Sequence, residues 1–245
     1  MRYGCKHGYN SCFTKSCAIE IPHQQGNHMN IQAVLFDLDG TLADTAVDLG
    51  GALNDLLREK GLPEKALADI RPHASHGSAA LLQFGAGISA QHPDFAQWRE
   101  EYLQAYDRCF DRDTVLFDGI NELISSLHAQ GFAWGIITNK PKRFTDRLVT
   151  KLGFAVPPAV VVSGDTCAEA KPSVLPMLYA CEQLGVQAAS CVYVGDAERD
   201  IQAGRAAGMK TVLAAWGYIG EHDTPETWGY DAAANQPLDI LNFCI

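Results

Sequence analysis

Short apolar runs alternate with helical periodicities along the second half of the chain. Four runs are rich in strand-forming residues, and they span 132–137, 159–162, 191–194 and 210–214, the last strand of the pattern. Segments with the spacing of amphipathic helices accompany them at 118–130, where Asp118 is the expected cap, and at 141–153, 172–184 and 197–207. Strands that alternate with helices predict a parallel sheet wrapped by helices. We therefore expect an α/β core with a doubly wound, Rossmann-like parallel sheet.

The region from 45 to 112 has a different pattern. Leu49, Leu53, Leu56 and Leu57 recur at helical spacing, and 78–84 and 93–110 also have helical patterns. This predicts an all-helical insertion at 45–112, within a core that is formed by 29–44 and 113–245.

Composition narrows the range of functions. The 245 residues are 47% hydrophobic, which is enough for a core domain and a smaller one, and the formal net charge is -10. This charge disfavours nonspecific nucleic-acid binding. The eight cysteines form no Cys-x-x-Cys pair, so we expect buried free thiols in a cytoplasmic protein. No apolar run approaches the roughly 20 residues that span a membrane.

The first 28 residues lack a sustained apolar period and resemble no secretory signal. We expect a disordered extension or a non-native start, with Met29 as the first residue of the working protein. The alternative is a metal cluster, although its spacing fits no usual site; its ligands would be Cys5, His7, Cys12 and Cys17. A variant that begins at Met29 should keep the activity and the melting temperature of the full chain.

Two carboxylates follow a buried strand near the start of the chain. The apolar run 33–36 leads into Asp37, Asp39 and Gly40, and the glycine allows the chain to turn both carboxylates around one point. Like charges so close repel unless a cation lies between them, and hard oxygen ligands favour Mg²⁺. An Asp-rich turn after a strand is the structural alternative.

Polar clusters also follow three other predicted strands. Thr138, Asn139 and Lys140 come after the second strand of the sheet, Lys171 follows the third, and Asp196 and Asp200 follow the fourth; a polar helix cap or a solvated lysine would explain each cluster alone. Doubly wound sheets bind ligands beyond the carboxyl ends of their strands, so these clusters predict one site.

The four clusters together resemble the four motifs of the haloacid dehalogenase (HAD) superfamily of phosphatases. The resemblance implies that Asp37 is the nucleophile, Asp39 the general acid and base, and Lys171 the neutralising cation. Thr138, Asn139 and Lys171 would bind phosphate, whereas Asp37, Asp39 and Asp196 would hold Mg²⁺, with Asp200 behind them. Relatives often have a small hydroxyl residue where this chain has Ala197, which puts one supporting hydrogen bond in doubt.

The resemblance also implies an activity, a phosphomonoesterase that acts through an aspartyl phosphate. The stretch Trp216-Gly217-Tyr218 resembles the phosphoglycolate phosphatase family, although core packing explains it equally well. The alternatives are a sugar phosphatase, notably one for N-acetylmuramic acid 6-phosphate, and a noncatalytic HAD-like binding module. A mutase of the β-phosphoglucomutase type would need further acid and base groups.

The helical insertion corresponds in this resemblance to the cap domain that closes over the site. Its most polar cluster supplies possible substrate contacts, and the alternative is a solvated loop before the 78–84 helix; the candidates are Arg71, His73, Ser75 and His76. The expected ligand is a small phosphorylated molecule, with no nucleic-acid or membrane partner. A monomer and a homodimer both remain open.

Overall fold

A computed structural model of the chain describes residues 30–244. In chain order its main elements are β1 (Ala33–Phe36), β2 (Ala43–Asp44), α1 (Ala46–Glu59), α2 (Leu67–Ala74), α3 (Gly77–Ala86), α4 (Phe95–Asp107), β3 (Val115–Leu116), α5 (Ile120–Ala129), β4 (Ala133–Ile137), α6 (Lys142–Lys151), β5 (Val160–Val162), α7 (Leu175–Leu184), β6 (Cys191–Gly195), α8 (Glu198–Ala207), β7 (Lys210–Ala214) and β8 (Ala232–Ala234). Short 3-10 helices span Ala188–Ser190, Pro225–Thr227 and Pro237–Phe243. The predictions for residues 1–28 lie outside the described residues.

A six-stranded parallel sheet forms the centre of the molecule. Its strand order is β5-β4-β1-β6-β7-β8, so β1 lies between β4 and β6. Phe36, the last residue of β1, pairs with Ile136 on one side and Val194 on the other. All four residues of β1 are buried, as expected for a parallel strand with helices on both faces of the sheet. The predicted doubly wound α/β fold is confirmed.

Several details differ from the sequence pattern. β8 follows the strand that the pattern predicts to be the last, and its three alanines give no strand-forming signal. Gly119, at φ 85°, precedes α5, and no side chain caps this helix, so the prediction that Asp118 caps it is wrong. α7 begins at Leu175 rather than at residue 172.

The segment between β2 and β3 contains four helices rather than the three that the pattern predicts. The additional one, α2, contains Pro72 and has a weak apolar face, which explains why periodicity does not reveal it. Leu53 and Leu56 of α1 are fully buried in the shared core. Tyr106 of α4 packs edge-on against Phe144 of α6, with ring centroids 5.0 Å apart. The helices therefore rest on the sheet domain beside its strand ends.

Both connections between these helices and the sheet pass through one small antiparallel pair. In it, Ala43 of β2 pairs with Leu116 of β3, and Asp44 pairs with Val115. Buried Asp48 reinforces the second connection, because its carboxylate accepts hydrogen bonds from the backbone N–H groups of Asp113 and Thr114. The pair lies close to the predicted limits of the insertion, and the division at 45 and 112 remains a prediction.

Two further observations concern the cysteines and the helix lengths. The five cysteines in residues 30–244 are free, and four of them are buried: Cys109, Cys181, Cys191 and Cys244. None of the helices in this part of the chain combines the length and apolar character that a bilayer crossing requires.

Candidate active site

The predicted polar clusters meet at the carboxyl edge of the sheet. Asp37 directly follows β1, and its backbone N–H donates to the carbonyl of Val194 on β6 at 2.9 Å. The ladder thus continues one residue past the strand and fixes the position of the Asp37 backbone. The side chain is 2% exposed, and its Oδ1 accepts a hydrogen bond from the N–H of Leu38 at 2.8 Å.

A tight turn after Asp37 carries Asp39 to the same point. The N–H groups of Leu42 and Ala43 both donate to the carbonyl of Leu38. Gly40 has φ 84°, and a Cβ there would collide with the carboxylate of Asp196, so only glycine fits. Asp39 Oδ1 accepts a hydrogen bond from Lys140 Nζ at 2.7 Å.

Lys171 lies at the centre of the charged cluster. Its ammonium group is fully buried and lies 2.9 Å from Asp37 Oδ1 and 2.7 Å from Asp200 Oδ1. It also donates toward the carbonyl oxygen of Ile137 and the hydroxyl of Tyr193, each at 2.7 Å. Four oxygens surround a group with three protons, so the ammonium is well compensated and rigidly held.

Asn139 holds Lys171 from behind. Its side-chain amide donates to the Lys171 carbonyl at 2.8 Å and accepts from the Lys171 N–H at 2.9 Å. Thr138 is buried, and its hydroxyl oxygen accepts a hydrogen bond from the N–H of Lys140 at 3.1 Å. Asn139 therefore orients Lys171, and Thr138 orients Lys140; both lysines face the aspartates.

Asp196 receives hydrogen bonds from three separate regions of the chain. Its Oδ2 accepts from Ser75 Oγ at 2.5 Å and from the N–H of Tyr218 at 2.9 Å, and its Oδ1 accepts from Thr41 Oγ1 at 3.2 Å. Ser75 belongs to the helical segment, so one hydrogen bond links that segment directly to the charged cluster.

Asp200 lies in the first turn of α8 and points back toward the sheet. Its Oδ2 accepts a hydrogen bond from the backbone N–H of Ala197 at 3.1 Å. The backbone of Ala197 thus supports Asp200, although its side chain cannot supply the hydroxyl that relatives often have.

Burial and mutual repulsion shift the acidities of these carboxyls. Burial raises the pKa of Asp37. The negative charges of Asp200 and Asp39 raise it further, and the positive charges of Lys171 and Arg199 only partly oppose the rise. Burial, together with Asp37 and Asp200, raises the pKa of Asp196 to about 7. Burial also favours a higher pKa for Asp200, but Lys171 and Arg199 outweigh it and hold that pKa below its usual range. The cluster therefore has an excess of negative charge around Asp37 and Asp196.

The donor set fits a divalent cation. Carboxylate oxygens of Asp37, Asp196 and Asp200 lie within 4.8 Å of one another, and all three residues are buried. Hard oxygen donors of this kind suit Mg²⁺, and a cation among them would relieve the mutual repulsion of these carboxylates. Asp200 is also engaged by Lys171, which favours Asp37 and Asp196 as direct ligands.

A cavity of about 380 Å³ opens above Asp37 and Asp39. The strand-end side contributes Thr138, Asn139, Lys140 and Arg199, and the helical side contributes Ser75, His76, Ser78, Phe95, Arg99, Tyr102 and Tyr106. Two of the four proposed contacts from the helical segment, Ser75 and His76, thus line the cavity.

The other two proposed contacts lie elsewhere. Arg71 makes a two-pronged ion pair with Asp44, at 3.0 and 2.9 Å, and stacks over the ring of Tyr218. His73 stacks on Phe84 with ring centroids 4.3 Å apart. Neither side chain lines the cavity in this structure.

Four residues of the site were assigned no role from the sequence. Lys140 follows Asn139 directly and Arg199 precedes Asp200 directly, so their positions in the motifs were the available signal. Arg99 gives no local signal, because it looks like a solvated helix residue. Tyr218 caps the start of α1, where its hydroxyl accepts hydrogen bonds from the N–H groups of Thr45 and Ala46 at 2.7 and 3.0 Å.

Curated relatives resemble this chain over most of its length. A phosphoglycolate phosphatase of Xanthomonas campestris pv. campestris (strain 8004) is 45% identical over 213 residues, which are 85% of this chain and 94% of that protein. An N-acetylmuramic acid 6-phosphate phosphatase of Pseudomonas aeruginosa is 36% identical over 214 residues, which are 87% of this chain and 95% of that protein.

Solved structures share the fold at lower identity. A structure from Haemophilus somnus 129pt superposes with a TM-score of 0.77 at 24% identity and covers 88% of this chain and 99% of its own. A haloacid dehalogenase-like hydrolase from Bacteroides fragilis has a TM-score of 0.75 at 21% identity, with coverage of 86% and 99%. The family model of the haloacid dehalogenase-like hydrolases matches residues 34–214. The chain belongs to the haloacid dehalogenase-like hydrolases, and its curated relatives support the activity of a phosphoric monoester hydrolase.

Proposed function

We propose that this protein is a Mg²⁺-dependent phosphomonoesterase that acts through an aspartyl phosphate on Asp37, with 2-phosphoglycolate as its substrate and glycolate and phosphate as its products. The observation that carries the proposal is the arrangement of Asp37 and Asp39 beneath the cavity, with Lys171 and Asp196 beside Asp37. The similarity to a phosphoglycolate phosphatase at 45% identity supports the choice of substrate.

Asp37 attacks phosphorus, and the ester bond to the leaving alkoxide breaks. A carboxylate is a nucleophile suited to this step, because it splits one difficult displacement into two easier ones. Lys171, 2.9 Å from Asp37 Oδ1, holds the carboxylate in place and offsets the charge that develops on the phosphoryl oxygens. The Thr138 hydroxyl and the backbone N–H of Asn139 would bind the phosphoryl oxygens at the strand-end side.

Asp39 transfers the protons of both half-reactions. It donates a proton to the leaving alkoxide, and it then takes a proton from the water that hydrolyses the aspartyl phosphate. Lys140 is bonded to Asp39 Oδ1, which orients the carboxyl group toward the cavity.

Asp37, Asp196 and the backbone carbonyl of Asp39 would hold the Mg²⁺, with Asp200 behind them. When bound, the ion supplies positive charge that lets a carboxylate approach a phosphate group. Ser75 bonds to Asp196 Oδ2 and thereby ties the helical segment to this ligand. We propose that residues 45–112 form a cap domain that excludes water and selects the leaving group.

A second substrate has support of its own. Phe95, Tyr102 and Tyr106 give the helical side of the cavity an aromatic lining, and its volume of about 380 Å³ exceeds the need of a two-carbon leaving group. Aromatic faces of this kind suit a sugar ring. N-acetylmuramic acid 6-phosphate, the substrate in the name of the Pseudomonas aeruginosa relative, is therefore the alternative.

The free thiols in the described residues support a reducing compartment, and we propose a cytoplasmic location.

An assay of phosphate release in the presence of Mg²⁺ distinguishes the two proposed substrates. The kcat/KM for 2-phosphoglycolate is compared with the values for N-acetylmuramic acid 6-phosphate and glucose 6-phosphate. We expect a preference of about a hundredfold for phosphoglycolate, or about 2.7 kcal/mol of discrimination in the transition state. A preference of the same size for the muramic acid ester would instead identify that ester as the substrate. No turnover of any ester would contradict both substrate proposals and favour a noncatalytic module.

A further inference from the structure

Arg199 lies over the proposed nucleophile and has no role in the mechanism above. It lies in the first turn of α8, lines the cavity, and its side chain is 18% exposed. One terminal nitrogen of its guanidinium group is 3.7 Å from Asp37 Oδ2. Arg199 thus approaches Asp37 Oδ2, whereas Lys171 pairs with Asp37 Oδ1.

Within residues 30–244, the guanidinium group of Arg199 makes no hydrogen bond, and the separation of 3.7 Å from Asp37 is too long for one. Burying most of a charged group with five unused donors is unfavourable unless a partner is supplied. Arg205, two turns further along α8, is exposed and donates to the carbonyl oxygen of Gly229. The contrast indicates that the partner of Arg199 is a ligand.

The geometry indicates which part of the ligand Arg199 binds. An attacking oxygen and the atom it attacks lie about 3–3.5 Å apart in a reactive complex. A phosphoryl group placed above Asp37 at that separation brings its oxygens within reach of a guanidinium group 3.7 Å from Asp37 Oδ2. The planar donor fork of arginine matches two phosphoryl oxygens.

We infer that Arg199 binds the transferring phosphoryl group directly and holds the inorganic phosphate after hydrolysis. The inference relies on the proposed function in assigning Asp37 as the nucleophile. The other ligand chemistry that an arginine here could recognise is a carboxylate of the leaving group, and the experiments below separate the two.

Binding of inorganic phosphate tests the inference without turnover. The dissociation constant is measured by calorimetry for the full chain, both in EDTA and in Mg²⁺. We expect Arg199→Gln to weaken phosphate binding by at least about tenfold in both conditions, and Arg199→Lys to weaken it less. Arg205→Gln removes the same charge from the same helix and should leave the constant unchanged. Equal constants for Arg199→Gln and the unaltered protein would overturn the inference.

A measurement on the unaltered protein covers the case in which the variants fail to fold. Phenylglyoxal modifies accessible arginines, and peptide mapping reports each position separately. Phosphate should protect Arg199 strongly and Arg205 not at all. Equal modification of Arg199 with and without phosphate would contradict a direct contact.

Kinetics with two esters distinguish the phosphoryl group from the leaving group. Arg199→Gln should lower kcat/KM by a similar factor, about a hundredfold, for 2-phosphoglycolate and for p-nitrophenyl phosphate, which has no carboxylate. A loss confined to 2-phosphoglycolate would overturn the inference in favour of a carboxylate contact. If the unaltered protein hydrolyses neither ester, the proposed function fails, whereas phosphate binding still decides the role of Arg199.

Discussion

The two sides of the cavity are built differently. On the strand-end side, Asp37, Lys171, Asp196 and Asp200 are at most 3% exposed and are bonded to one another or to the backbone. On the helical side, His76 and Arg99 are exposed, and aromatic side chains line the open cavity of about 380 Å³. A rigid, buried cluster of charges suits a reaction that is the same for every ester, whereas exposed side chains around an open cavity suit the choice of leaving group. The comparison predicts unequal effects of substitution on the two sides.

Lys171→Met should have the largest effect, because it removes the central cation of the strand-end side. Asp37 and Asp200 would then remain buried without the ammonium group that lies within 3 Å of both. Breaking a buried pair of this kind costs about 3–5 kcal/mol, so we expect a lower free energy of unfolding together with the loss of activity. Urea unfolding and phosphate release check both effects, and a fully stable variant would contradict the account of this cluster.

Asp37→Asn should separate chemistry from stability. The substitution keeps the shape of the side chain and removes a carboxylate whose pKa burial already raises, so the fold should survive. We expect less than about one percent of the activity to remain, because an amide cannot attack phosphorus. Circular dichroism confirms folding, and retention of more activity would remove Asp37 from the role of nucleophile.

Arg99→Gln should have a smaller effect that depends on the substrate. Arg99 lines the helical side, and its Nε donates to Ser78 Oγ at 3.3 Å. We expect an increase of about tenfold in KM for 2-phosphoglycolate and little change for p-nitrophenyl phosphate, with the melting temperature unchanged.

Arg108→Gln is the matched control for Arg99→Gln, because Arg108 follows the same helix outside the cavity and pairs with Glu59. An equal change in KM for both esters would remove the distinction between the two sides.

The strand-end side was largely predictable from the sequence. Each motif follows an apolar run that ends at the sheet edge, so local patterns place Asp37, Lys171 and Asp196 together. Arg199 and Lys140 were within reach of the same argument, because both lie inside the motifs. Their roles depend on side-chain directions that spacing does not specify.

The helical side was less predictable for a physical reason. Ser75 meets Asp196 across 121 positions of the chain, and nothing local to either residue indicates the contact. Pro72 and a weak apolar face conceal α2, which sets the direction of Ser75 and turns Arg71 and His73 away from the cavity. Tertiary contacts decide which polar residues of an irregular region reach a site.

The most direct test of the central proposal is detection of the aspartyl phosphate itself. Asp39→Asn removes the proton donor of the first half-reaction and the base of the second, so the test uses p-nitrophenyl phosphate, whose leaving group departs without a proton. The first half-reaction can then proceed while the second lacks its base, and the intermediate should accumulate. The variant is mixed with p-nitrophenyl phosphate and Mg²⁺ and quenched in acid, and mass spectrometry then locates any added phosphoryl group. The account predicts one phosphoryl group on the peptide that contains Asp37, and none when Asp37→Asn is also present. Release of phosphate without any phosphorylated peptide, or a phosphoryl group on another residue, would contradict it.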